Sequence, residues 1–141
     1  MTVFATKWFV KSFLKENDVP LARLIQAAEE VAGGKIDADL GGGVIKQRVA
    51  RANTGKSRGF RVIILFRSGQ NLFFVDGFAK NVKANISDRE LVALRELAIR
   101  LFGLSADQLS DAVEAGELKI IGVEDDGIEE KGGQSDSARR P

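Results

Sequence analysis

The chain has no cysteine, no histidine and no tyrosine among its 141 residues, and it carries one tryptophan and two prolines. Without cysteine or histidine there are no disulfides, no thiol nucleophile, no structural zinc of the usual kinds and no histidine-based triad or proton shuttle. Without tyrosine as well, general acid or base work falls to Lys, Asp, Glu or solvent, with arginine limited to electrostatics. Long apolar runs are missing too. The opening MTVFATKWFVK holds no apolar core of signal-peptide length, and no later stretch approaches the roughly 20 residues of a membrane span. The expected compartment is the cytoplasm, with no membrane partner, no metal and no cofactor. A 44% hydrophobic content over this length is enough for one core without staples.

What the chain does have is an uneven distribution of charge. Lys46, Arg48, Arg51, Lys56, Arg58, Arg61 and Arg67 place seven cations between Asp39 and Asp76 with no acidic residue in that interval. Three β-rich runs pass through it, Val44 to Ala50, Phe60 to Arg67 and Leu72 to Phe78, separated by the turn-rich NTGKSRG and SGQN segments; this predicts an antiparallel meander. Side chains two apart share a pleat face, so Lys46 and Arg48 give the first strand one cationic face that continues toward Arg51. Phe60, Val62, Ile64 and Phe66 alternate with Arg61, Ile63, Leu65 and Arg67, a strand apolar on both faces in its middle with arginine at each end. That pattern predicts a central strand.

Ahead of the meander, Thr2 to Ala5 reads as a short edge strand. A helical pattern follows from Lys7 to Glu16, its apolar stripe made by the pairs Phe9/Phe13 and Val10/Leu14. Lys7, Lys11 and Lys15 form its solvated face, and Trp8 is expected to be a packing anchor. A second helix starts at Pro20, carries Leu21, Leu24, Ile25, Ala28 and Val31, and stops at Gly33-Gly34. Gly41-Gly42-Gly43 then reads as a turn leading into the first cationic strand rather than a phosphate cradle, because no helix N-terminus follows it. Thr54-Gly55-Lys56-Ser57 looks like the end of a Walker A motif, but Ala50 stands where the first glycine is required.

Beyond the meander, Asn81 to Asn85 suggests a turn of helix. Ser87-Asp-Arg-Glu90 and Ser105-Ala-Asp-Gln108 are capping boxes that open two more helices, and Glu117 to Val123 reads as a last strand. The expected fold is α+β: an antiparallel sheet of about four to five strands, covered on one face by two N-terminal helices, with two further helices before the last strand. Of the chain's 21 basic and 20 acidic residues, three and six fall from Gly122 onward, which leaves 18 against 14 in residues 1–121. Residues 122–141 are expected to be a disordered acidic tail, too poor in apolar residues to offset their ordering entropy.

The run GGGVIKQRVARANTGKSRGFRVIILFR, then LFFVDGFAKNVKANIS and the closing AGELKII resemble RelE-type toxins of bacterial toxin–antitoxin modules, in a branch with Gly-Gly-Gly, GKSxGxR and GFAK signatures. The resemblance covers about residues 4 to 121. It implies a compact toxin that enters the ribosomal A site and cuts messenger RNA, and a cognate antitoxin, often of helix-turn-helix type, that neutralises it. Carried over by position, it points to Lys46, Arg61 and Lys80 for catalysis and to Arg48, Arg51 and Arg58 for holding RNA. Lys56 in the same run and Phe78, the one phenylalanine read as a base-stacking residue, join the RNA-binding set. Better-known members of the superfamily use tyrosine and histidine for proton transfer, and this chain has neither. Two other functions share the scaffold, a ParE-type gyrase inhibitor without catalysis and a non-catalytic RNA-binding module.

Overall fold

A computed structural model describes residues 1–50, 59–79 and 85–123. Six strands form one sheet in the order β2-β3-β4-β5-β1-β6. Strands β3 (Val44–Val49), β4 (Phe60–Leu65) and β5 (Leu72–Ala79) are the antiparallel meander read from the sequence, with β4 inside it. β1 (Thr2–Thr6) lies inside the sheet rather than at its edge. It runs parallel to β5, with Val3 opposite Leu72 and Ala5 opposite Phe74, and antiparallel to β6 (Leu118–Val123). The edge beside β3 is instead β2 (Ala38–Asp39), two residues that the pattern did not mark as a strand. β6 continues to Val123, with Gly122 paired to Val3, so the sheet extends two residues past position 121.

The first helix is continuous over residues 7–17. It begins as α1 (Lys7–Phe9), widens to a π-helix over Val10–Leu14 and closes as α2 (Lys15–Asn17). Side chains reach its carbonyls: Ser12 Oγ donates to the Trp8 carbonyl at 2.6 Å and Asn17 Nδ2 to that of Phe13 at 2.9 Å. Such bonds compete with the regular ladder. The chain reverses through Asp18, whose φ of 49° is left-handed, into α3 (Leu21–Ala32). Phe9, Phe13, Leu24, Ala27, Ala28 and Val31 bury the apolar faces of this hairpin against Val3, Ala5, Ile45, Val62, Ile64 and Phe74. Phe13 packs edge-on against Phe60, with ring centroids 5.1 Å apart, and burial of each such ring stabilises the fold by roughly 1.5–3 kcal/mol.

The opposite face holds Phe4, Val44, Ile63, Leu65, Phe73, Val75 and Phe78, packed under α4 (Asp88–Phe102) and α5 (Ala106–Glu114). Both helices open on complete capping boxes, Ser87/Glu90 and Ser105/Gln108. The cover is incomplete: Ala98 is buried, but Leu91, Leu94, Leu97 and Leu101 are only partly so. The triple glycine seats α4. Gly41, Gly42 and Gly43 have φ of 86°, 66° and 85°, a run of left-handed backbone that side chains disfavour. Arg95 lies across Gly41 and Gly42 with its guanidinium donating to the Leu40 carbonyl, and a Cβ on Gly43 would fall 2.8 Å from the Phe102 ring.

Candidate nucleic-acid interface

The register of the meander brings the predicted cations together. Arg48 on β3 lies opposite Arg61 on β4, and Arg61 lies opposite Phe78 on β5. One row further in, Lys46 is opposite Ile63 and Ile63 opposite Asp76. Alternation puts Lys46 and Arg48 on the face of Val44, and Arg61 on the face of Ile63 and Leu65. These three cations therefore share the α4 side of the sheet, toward the end where β3 finishes and β4 begins.

Asp76 and Phe78 reach this face through a β-bulge. Ile63 pairs with Asp76 and Ile64 with Phe74, which leaves Val75 as an extra residue in β5. Strict alternation from Leu72 would have placed both on the face of Phe74, under the first helix. The bulge switches them to the cationic side. Gly77, between them, accommodates Phe13 from the other face, where a Cβ would lie 2.6 Å from that ring.

Each cation is held differently. Arg48 is 45% exposed at its side chain and forms an ion pair at 3.1 Å with Asp37, whose second oxygen accepts the Arg48 backbone amide at 2.8 Å. The hydrogen bond that Arg48 donates to Asp37, and then the charge of Asp37, raise the Arg48 pKa above the ordinary arginine value, against a small lowering by burial. Asp37 is positioned by Gln47, a buried polar residue on the core face of β3. Gln47 accepts from the Asp37 amide at 3.0 Å and donates to the Lys35 carbonyl at 2.8 Å. Lys46 Nζ donates to Asn85 Oδ1 at 3.3 Å, a partner the sequence reading did not identify. Arg61 is half-buried, and its guanidinium donates to the Phe60 carbonyl at 3.4 Å. Phe78 is 8% exposed, walling the row rather than projecting from it.

Arg51, Lys56, Arg58 and Lys80 lie outside the described residues, as do the Walker-like segment, the turn expected over 81–84 and residues 124–141. Arg67 is separate from the cluster. It follows the far end of β4, where its guanidinium sits 4.8 Å from the Phe102 ring centroid, a cation–π contact on the helix side. Asp76 Oδ1 accepts its own neighbour's amide, that of Gly77, at 2.9 Å. Trp8 overturns its expectation as a packing anchor. It is 65% exposed, because Phe9 and Phe13 supply the buried stripe and residue 8 falls outside it.

Arg48 and Arg61, directly opposite one another on neighbouring strands, repel as like charges, and Asp37 pairs with Arg48. A phosphodiester would relieve that repulsion, since guanidinium forks match its oxygens in shape and charge. No helix among the described residues is long and apolar enough to cross a membrane. A family model described as RelE toxin of RelE / RelB toxin-antitoxin system matches residues 1–121. No curated protein and no solved structure matches the chain.

Proposed function

The chain belongs to the RelE family of toxins of toxin–antitoxin systems, and from that premise we propose that it is a metal-independent endoribonuclease that cuts messenger RNA on the ribosome. The observation that carries the reading is the cross-strand row Arg48–Arg61–Phe78 with Lys46 one row behind it. In such a cut the ribose 2′-hydroxyl gives up its proton to solvent or a side chain as its oxygen attacks the adjacent phosphorus, negative charge builds on the phosphoryl oxygens, and the bond to the 5′-oxygen breaks, leaving a 2′,3′-cyclic phosphate and a 5′-hydroxyl that has taken up a proton. A protein accelerates this by orienting the strand and stabilising that charge. Arg61, on a central strand, and Lys46, tied to Asn85, have the rigid support that a transition-state role needs. Lys80 is the third member of the proposed catalytic set. Arg48, Arg51, Lys56 and Arg58 hold the phosphate backbone, with Phe78 beside them at the base.

The family implies an antitoxin as partner; the further proposal is one of helix-turn-helix type, acting in the cytoplasm. Expression of the chain should arrest growth by stopping protein synthesis. Pulse labelling checks this: methionine incorporation should collapse before DNA supercoiling changes, and the reverse order would replace the nuclease reading with gyrase inhibition.

A further inference from the structure

The incomplete cover over the second sheet face leaves a cleft of about 530 Å³, lined mainly by apolar side chains including Val75, Leu94, Leu97 and Leu101. Trp8 and Asp76 stand in its wall as well. Asp76 belongs to two places at once, since it lines the cleft and lies on β5 two residues from Phe78 in the cationic row. An RNA strand whose phosphates lie on Arg61 and Arg48 would therefore have the cleft within reach of a neighbouring base. We propose that this cleft is a nucleobase subsite selective for guanine, with Trp8 as the stacking surface and the Asp76 carboxylate as the reader of the base edge.

The selectivity follows from donor and acceptor counts. An ionised carboxylate only accepts, through about four lone-pair positions, and the Gly77 amide takes one of them. Guanine presents two donors side by side, its N1–H and its 2-amino group, and fits such an acceptor pair. Adenine offers one amino donor beside an acceptor nitrogen, and uracil one N–H between two carbonyls. An exposed indole provides a π-face for whichever base enters, so Trp8 contributes affinity and Asp76 contributes choice. The subsite rests on the RNA-cutting reading for its biological role, but base binding is measurable without a ribosome.

Trp8 is the chain's only tryptophan, so its fluorescence reports on the wall it forms between this cleft and the neighbouring pocket beside Lys11 and Ser12. Titration of the full chain with GMP, IMP and AMP should quench it in the order GMP, then IMP, which keeps N1–H but lacks the 2-amino group, then AMP. The step from GMP to AMP is expected to be about tenfold or more in affinity, as for other bidentate base contacts. Asp76→Asn presents a donor beside an acceptor, the complement of adenine, and should move the preference from GMP toward AMP. Glu117→Gln, which neutralises the other carboxylate lining the cleft, should leave the order unchanged. Equal quenching by all three nucleotides, or an unchanged order in a folded Asp76→Asn protein, would overturn the proposal. So would no quenching at all, which would leave the cleft to an apolar segment of a partner protein. Quenching in the expected order by a chain that cuts no RNA would uphold the subsite and overturn only the nuclease reading.

Discussion

At the scale of single residues, Arg48 and Arg61 share a row but have different tasks. Arg61 leaves the central strand and Arg48 is tethered to Asp37. Arg61→Ala and Lys46→Ala should each slow single-turnover cleavage on the order of a hundredfold or more, with ribosome affinity nearly kept. Arg51→Ala and Arg58→Ala should instead weaken affinity and flatten its salt dependence, because each lost phosphate contact removes a counterion-release contribution. If Arg61→Ala cut at the parent rate once saturated, that division of roles would be wrong. Asp37→Ala removes acceptors from both the Arg48 side chain and its amide. Because the pair is partly exposed, the expected loss is about 1 kcal/mol or less in chemical denaturation, shrinking as salt is raised. The raised Arg48 pKa means that its contribution is present at every pH below the ordinary arginine value and is lost only as pH rises through the folded value. Stability from this pair should therefore not vary with the charge state of Arg48 across neutral pH.

At the scale of elements, the triple glycine makes the sharpest prediction. Gly43→Ala would place a Cβ at a φ of 85° and against Phe102, so it should destabilise the fold by about 1–3 kcal/mol and loosen α4, seen as faster amide exchange in that helix. The sequence showed this turn because three glycines in a row suit no element interior, but not what they receive, since Arg95 and Phe102 come from far along the chain. Capping boxes at Ser87 and Ser105 were legible for the opposite reason, being complete within four residues. The meander was legible from its turns and alternation. The position of Phe78 was not. The bulge at Val75 inverts the parity of the end of β5, and a bulge is decided by the partner strand's register. Gln47 did leave a trace, as a polar residue alternating with Ile45 and Val49 at core positions, yet its partners on the Lys35–Asp37 loop are settled by the tertiary fold. The exposed Trp8 and the partner Asn85 had no local signal.

At the scale of the whole molecule, the described fold ends with β6. A chain of residues 1–123 should melt within a few degrees of the full chain, whereas one ending before Leu118 should lose cooperative unfolding, because β1 would lose its antiparallel neighbour. Differential scanning calorimetry of the two truncations separates these outcomes. The position of β1 also matters in time. Thr2–Thr6 is the first of the six described strands to be made, yet one of its neighbours, β5, is complete only at Ala79 and the other, β6, only at Val123. Until Ala79 is made neither neighbour is complete, and until Val123 is made only one is. Closing so long a loop is slow, and the sheet is finished only when its last strand clears the ribosome. A protein proposed to attack translating ribosomes thus cannot complete its sheet on the one that is making it until Val123 has emerged.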